Sequence, residues 1–149
     1  EHPDFKKLPK LPFGCAWIEA NLFCIHSVSS DREIVFSAHK GDYFHVALKD
    51  KNISFSVEVW ATNDRNGLNN FFQELASLRV PWPGTRSWTS LEGEFNISAT
   101  CTMLGHIVFT VKLNGQPGGT EAWKVQAGLE TELGQLEKIA QSANSFFQG

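Results

Sequence analysis

Polar and apolar residues alternate along much of the first sixty positions of the chain. Strict alternation is typical of strands that bury only one face of a sheet. Short turns rich in Gly, Asp and Asn separate the alternating segments, which predicts strands joined as antiparallel hairpins. The predicted strands of this half lie at residues 16–26, 34–39, 44–49 and 53–60.

The spacing of apolar residues changes near residue 66. Apolar side chains now recur three or four positions apart, which predicts an amphipathic helix over about residues 66–78. Asp64 or Asn66 is the expected N-cap, because either side chain can accept a backbone N–H hydrogen bond. The apolar stripe of this helix consists of Leu68, Phe71, Phe72 and Leu75.

The second half of the chain repeats the same order of elements. A second helix is predicted over about residues 131–147, with Thr131 as its cap. The expected fold is α+β: a single antiparallel sheet of about seven to eight strands in the order ββββ-α-ββββ-α, with both helices on one face. One domain is expected for residues 1–149, with an irregular Pro- and Lys-rich lead-in at residues 1–14. The predicted strands of this half lie at residues 85–91, 95–103, 106–113 and 123–129.

Composition excludes several classes of protein. The 149 residues contain 13 Lys and Arg against 16 Asp and Glu, a formal net charge of −3, and 12% are aromatic. A disordered chain would be poorer in aromatic residues and richer in charge. A nucleic-acid-binding domain would have a strongly basic isoelectric point, whereas this one is near 5.9. No apolar run is long enough for a membrane span. A compact domain that binds neither nucleic acid nor membrane is expected.

The number of cysteines indicates in which cellular compartment the protein is expected. Cys15, Cys24 and Cys101 are an odd set, whereas secreted scaffolds normally pair their cysteines. Cys15 and Cys24 are nine positions apart, so in one continuous strand they would lie on opposite faces. Three buried free thiols are therefore expected. Because no signal-peptide pattern is visible either, a cytoplasmic location is predicted.

Residue types that could carry catalysis are present but do not form a convincing site. His39 and His45 flank a hairpin turn and are expected on the same face, opposite Phe36 and Phe44. A zinc site needs three or four ligands, and no third ligand can be placed. No Gly-x-Ser-x-Gly elbow or phosphate-binding loop occurs. No catalytic residue, metal or cofactor is therefore predicted, and the protein is not expected to be an enzyme.

The aromatic residues exceed what the predicted core requires. Alternation places Trp17, Phe23, Tyr43 and Trp60 on the polar face of the sheet, and Trp82 and Trp88 lie in or beside a Pro-rich connector. Exposed Trp and Tyr are typical anchors of protein interfaces. The alternative is that the N-terminal segment and the connector cover that face as a second small core. On the first interpretation, the partner-binding residues are Tyr43, Trp60, Trp82 and Trp88.

The second half of the chain contains a set of motifs that are mostly turn glycines, core aromatic residues and positions of the C-terminal helix: Trp88, Leu91-Glu92-Gly93-Glu94-Phe95, Ala99, Gly105-His106-Ile107, Trp123, Leu129, Leu133-Gly134-Gln135-Leu136, Ile139-Ala140 and Phe146-Phe147. With these motifs the chain is similar, over about residues 57–148, to a family of uncharacterised small bacterial proteins. The shared residues are mostly structural, and no catalytic residue comes with the resemblance. Small acidic bacterial proteins of this kind are similar in size and style to immunity proteins, which neutralise secreted toxins; this step is an analogy of size and charge.

The leading functional hypothesis is a non-enzymatic protein-binding module, in its specific form a bacterial immunity protein that occludes a cognate toxin. Aromatic anchors would fill a cleft of the toxin, and acidic residues at the rim would complement a basic active site. One alternative is a protein that binds a small apolar ligand in an internal cavity. Another is a homo-oligomeric structural protein, for instance a homodimer paired through a sheet edge or the aromatic face.

Overall fold

The computed structural model describes residues 21–61 and 67–148. These residues form eight strands and two α-helices in the order predicted from the sequence, and a short 3-10 turn at Leu133–Gln135 precedes the second helix. The elements are β1 (Phe23–His26), β2 (Glu33–Lys40), β3 (Tyr43–Asp50), β4 (Ile53–Trp60), α1 (Gly67–Leu78), β5 (Arg86–Thr89), β6 (Phe95–Cys101), β7 (His106–Gly115), β8 (Trp123–Glu132) and α2 (Leu136–Gln148).

All strand pairs in the described residues are antiparallel, and the prediction of an α+β fold in this order is confirmed. The strands form two four-stranded sheets, β1-β2-β3-β4 and β5-β6-β7-β8, where one sheet was expected. The connection from β4 to β5 contains α1, so these two strands are not joined by a hairpin. Strand β4 instead lies against β7 without being its hydrogen-bonded neighbour. The two sheets therefore contact each other through β4 and β7.

The inner faces of both sheets and the apolar faces of both helices share one hydrophobic core. Phe36 on β2 is fully buried and stacks on Phe23 of β1, with ring centroids 4.8 Å apart. Phe36 also contacts Phe95 of the second sheet at 5.8 Å. Phe72 of α1 contacts Phe109 of β7 at 6.2 Å. The aromatic core therefore joins elements from both halves of the chain. The helices contain 12 and 13 residues, and no helix among the described residues is long and apolar enough to cross a membrane.

The face assigned to β1 from the sequence was wrong. Phe23 and Ile25 are each 1% exposed and lie in the core, whereas Cys24 lies on the other face. The ladder sets this orientation, because Phe23 pairs directly with the core residue Phe36. Both faces of this segment carry apolar residues, so alternation alone does not reveal which face points inwards. Trp17 lies outside the described residues.

A bulge separates the two histidines that were expected to share a face. The register of β2 and β3 shifts between Ser37 and Lys40, and Ala38 adopts a φ of 53°. As a result His39 points to α2, where its Nδ1 lies 3.2 Å from the carbonyl oxygen of Phe146. His45 lies on the outer face of the sheet, with Nε2 3.3 Å from Glu58 Oε2. The expectation that His39 and His45 share a face is therefore wrong.

The second helix begins later than predicted. Strand β8 continues to Glu132, with Thr131 buried and paired with Ile107 of β7. Thr131 is thus a strand residue and does not cap the helix. The predicted cap of the first helix, Asp64 or Asn66, lies outside the described residues.

The cysteines also differ from expectation. Cys24 is disulfide-bonded and Cys101 has a free thiol, so the expectation of three free thiols is wrong. The spacing argument assumed one strand through both Cys15 and Cys24, but β1 begins only at Phe23. Cys15 lies outside the described residues. Because disulfides are typical of oxidising compartments, the thiol-based reason for a cytoplasmic location no longer holds.

Candidate binding groove

A groove lies where β4 meets the second sheet. It has a volume of about 470 Å³ and combines residues from β4, the β5–β6 turn, the end of β7 and the start of β8. We call it the acidic groove, because its lining includes three glutamates and no Lys or Arg. The lining residues are Ser56, Val57, Glu58, Glu92, Glu94, Asn114, Gly115, Gln116, Pro117 and Trp123.

Trp123 forms an aromatic wall of the acidic groove. It pairs across the ladder with Gly115, and its indole occupies the space that a side chain at Gly115 would need. The indole also contacts Phe55 of β4, with ring centroids 5.5 Å apart. Trp123 is half-buried, so part of the ring remains accessible from the groove. The missing side chain at Gly115 thus allows an aromatic surface to lie flat against the strand.

Glu94 is the buried carboxylate of the groove, with 7% of the residue exposed. The Ser90 hydroxyl donates to its Oε1, and the backbone N–H of Trp60 donates to its Oε2 at 3.4 Å. The carbonyl oxygen of Glu94 accepts a hydrogen bond from the N–H of Asn114 at 2.9 Å. Glu94 therefore links the β5–β6 turn to β4 through its side chain and to β7 through its backbone.

The other two carboxylates of the groove are exposed. Glu58 lies near the end of β4, where its only described ion pair is with His45, and Glu92 lies in the β5–β6 turn. Both side chains are exposed and can reach a ligand, whereas Glu94 is buried and bonded to two hydrogen-bond donors. Exposed carboxylates beside an indole face can bind a cation by charge pairing and by cation–π contact. The arrangement therefore favours a positively charged ligand.

Two of the four predicted partner-binding residues lie together beside this groove. Tyr43 and Trp60 are direct cross-strand partners on β3 and β4, and Tyr43 is 45% exposed. Trp60 is half-buried, and its backbone N–H reaches Glu94 inside the groove. The outer face next to the groove therefore carries an accessible aromatic pair.

The other two predicted residues lie in the second sheet and its preceding connector. Trp82 is only 5% exposed, and its Nε1 donates to the carbonyl oxygen of Ala99 at 3.4 Å. Trp88 on β5 is half-buried and packs against the ring of Phe95 at 6.1 Å. Trp82 is thus a core residue, and neither residue lines the acidic groove.

Sequence reasoning missed Glu58, Glu92 and Trp123 as members of one site. Glu92 lies in the β5–β6 turn, where a charged residue is ordinary. One signal in the sequence was usable: the Glu-Gly-Glu turn at residues 92–94 directly precedes a strand. Nothing in the alternation indicates that this turn lies beside β4. In the described part of the chain, no group of three or more His, Cys, Asp and Glu could hold a metal ion.

A cluster of charged groups lies at the end of the β7–β8 pair opposite to Gly115 and Trp123. His106 on β7 lies between Glu132 and Glu130 of β8, at 3.1 and 3.5 Å. The hydrogen bonds that His106 donates to the two carboxylates raise its pKa, and the bond to Glu132 has the larger effect. The hydroxyl of Ser29 donates to Glu130 and contributes most to lowering the pKa of that carboxyl. This cluster therefore ties the β1–β2 loop to β8.

Comparison with known proteins identifies a family but gives no activity. No curated protein and no solved structure matches the chain. A protein-family model described as a family of unknown function (DUF6228) matches residues 27–149. The match includes every residue that lines the acidic groove. The chain therefore belongs to this family, DUF6228.

Proposed function

We propose that the protein is a non-enzymatic protein-binding module whose acidic groove receives a basic side chain of a partner protein. The observation that carries this proposal is the juxtaposition of Glu58, Glu92 and the Trp123 indole around one cavity of about 470 Å³. A Lys or Arg head group fits such a cavity, and its charge complements the two exposed carboxylates. The aromatic pair of Tyr43 and Trp60 next to the groove supplies apolar contact area.

Charge and aromatic surface have different roles in this proposal. Exposed carboxylates at a rim mainly raise the association rate and select against acidic partners. A cation over an indole face contributes about 0.5–1 kcal/mol at an exposed site, and more when water is excluded. Glu94 holds the walls of the groove in place, because it bonds to both β4 and β7. The net charge of −3 has the same sign as the groove and attracts basic partners at low ionic strength.

The specific form of the proposal is that the partner is a toxin whose basic active site is covered by this surface. Support for it is the acidic groove itself together with the analogy of size and charge to immunity proteins. The test is whether the product of a neighbouring gene co-purifies with the chain and whether the chain protects a strain that expresses that product. Failure to protect the strain would overturn the toxin-specific form and leave the general binding proposal in place.

A charge-matched pair of double variants tests the general proposal. The groove variant is Glu58→Gln with Glu92→Gln. The control is Glu74→Gln with Glu137→Gln, which removes the same charge from exposed positions on α1 and α2. Each protein is cross-linked in an extract of the source cells, and captured proteins are quantified by mass spectrometry. At least one basic protein should be captured by the wild type and the control but at least tenfold less by the groove variant. Equal capture by all three would contradict the proposal.

A further inference from the structure

Strand β4 forms the outer edge of the first sheet, and among the described residues no strand pairs with that edge. The direction of its free backbone groups follows from two hydrogen bonds. The N–H of Ala61 points towards the β3 side and donates to the carbonyl oxygen of Asp42. The N–H of Trp60 points outwards, away from β3, and donates to Glu94. Because backbone groups alternate along a strand, the N–H and C=O of Ser54 and Ser56 also point outwards.

The other sheet edges in the described residues are short or partly covered. Strands β1 and β5, at the ends of the two sheets, contain only four residues each. Strand β8 is long, but the β1–β2 loop covers part of it: the N–H of Val28 donates to Glu130 O at 3.0 Å, and Arg32 Nη1 donates to Gly128 O at 2.7 Å. Short length and loop cover are two common ways in which proteins protect sheet edges from pairing with other chains.

The first half of β4 has neither protection. The strand contains eight residues and pairs with β3 in an unbroken register, and it carries no Lys, Arg or Pro. Residues 53–56 are all exposed, including the apolar side chains of Ile53 and Phe55, which are 40% and 37% exposed. An exposed, regular, partly apolar edge is a template for an added strand.

The same edge leads into the acidic groove. Ser56 and Glu58 line the groove, and Phe55 contacts the Trp123 wall. A strand added here would have one face next to Ile53, Phe55 and Trp123. Its other face would lie next to Ser54, Ser56 and Glu58. Apolar side chains suit the first face, and basic side chains suit the second.

We infer that β4 binds an extended, basic segment of the partner protein as a fifth strand of the first sheet. The segment hydrogen-bonds to Ser54 and Ser56 through its backbone, and its alternate basic side chains reach the carboxylates of the groove. This inference rests on the proposed function, because it specifies the form in which a basic partner enters the acidic groove. Backbone pairing supplies affinity, and the alternating side chains supply selectivity.

The first test uses three synthetic peptides with the wild-type protein. The basic probe is Lys-Val-Lys-Val-Lys-Val-Lys; the second peptide is the same sequence N-methylated at alternate residues, and the third replaces each Lys by Glu. Calorimetry gives affinity, and NMR amide shifts give location. The basic probe should bind and shift the amides of residues 53–58, and both other peptides should bind at least tenfold more weakly. No binding of the basic probe at millimolar concentration would overturn the inference.

The second test changes one backbone donor of the protein. Ser54→Pro removes the outward N–H, and proline is tolerated on strand edges whose N–H faces solvent. Ser54→Ala keeps that N–H and is the matched control. The proline variant should lose at least tenfold in affinity for the basic probe, and the alanine variant less than twofold. The N-methylated peptide provides the same information with an unaltered protein if the proline variant does not fold.

The remaining outcomes separate strand addition from the proposed function. Equal binding of the methylated and unmethylated peptides would overturn strand addition. If that binding still fell with Glu58→Gln and Glu92→Gln, the acidic groove would remain a binding site for basic side chains. Light scattering that showed a wild-type dimer converted to a monomer by Ser54→Pro would assign the edge to a second copy and overturn the inference.

Discussion

The indole of Trp123 lies against the backbone of Gly115, its cross-strand partner, so closely that a Cβ on Gly115 would come within 1.9 Å of Trp123 Cε2. Gly115 is buried, and neither the strand backbone nor the indole has room for a methyl group there. The aromatic wall of the acidic groove therefore depends on a glycine in the facing strand.

Gly115→Ala should displace the Trp123 ring and destabilise the protein by about 1–3 kcal/mol, as overpacking does elsewhere. Urea unfolding measures the loss, and tryptophan fluorescence reports the changed surroundings of the ring. Gly128→Ala is the control, because a Cβ there meets Val108 Cγ1 at an ordinary 3.7 Å. In a Trp123→Ala background the cost of Gly115→Ala should largely disappear. A cost that persisted would contradict the steric explanation.

The two neighbouring glutamates of the β5–β6 turn should respond differently to substitution. Glu94→Ala leaves the buried Ser90 hydroxyl and the Trp60 N–H without their acceptor, which should cost about 1–3 kcal/mol. Glu92→Ala changes an exposed side chain and should alter stability by about 0.5 kcal/mol or less. Denaturant titration of both variants measures the difference. Equal losses would show that the Glu94 hydrogen bonds do not stabilise the turn.

Much of the fold follows from local alternation. Strand β4 begins and ends at the residues predicted, because one face of Ile53–Trp60 is apolar and a two-residue turn precedes the strand. Local alternation predicts the wrong face of the sheet for His39, because the direction of this side chain depends on the positive φ of Ala38 in the bulge. It also gives the wrong face for Phe23, because both faces of that segment are apolar.

The acidic groove could not be predicted for a different reason. Glu58, Glu92 and Trp123 belong to three segments that come together only because β4 packs against β7. That packing is a long-range contact between the two sheets, and the periodicity of β4 or of β7 does not predict it. The placement of Tyr43 and Trp60 on the same face was predicted, because their register follows from a hairpin with a two-residue turn.

The hydrogen bonds that His106 donates to Glu132 and Glu130 raise its pKa, which links the protonation of His106 to folding. Since the folded state holds this proton more tightly, the stabilisation is fully present below the ordinary histidine pKa of 6.5. It is lost as pH rises through the higher folded value. Melting temperatures of the wild type should therefore fall relative to those of His106→Gln between about pH 6 and 8. NMR titration of the His106 ring measures the pKa directly, and a value at or below 6.5 would refute the assignment.

Burial raises the pKa of the Glu33 carboxyl, and the nearby His26 and Lys49 only partly oppose this effect. Glu33 is 6% exposed, and its Oε2 lies 3.6 Å from His26 Nδ1, beyond normal hydrogen-bond distance. A carboxyl with a raised folded pKa stabilises the protein when it is protonated, and this contribution is lost as pH rises above 4.5 through the folded value.

Glu33→Gln keeps the shape of the side chain and removes its charge, so this variant should lack that pH-dependent loss. Its melting temperature should exceed that of the wild type at pH 7, and the difference should shrink as pH falls to about 4. Glu92→Gln, an exposed change of the same kind, should show little difference at either pH. If Glu33→Gln were instead less stable at pH 7, the ion pair with His26 would outweigh the cost of burying the carboxylate.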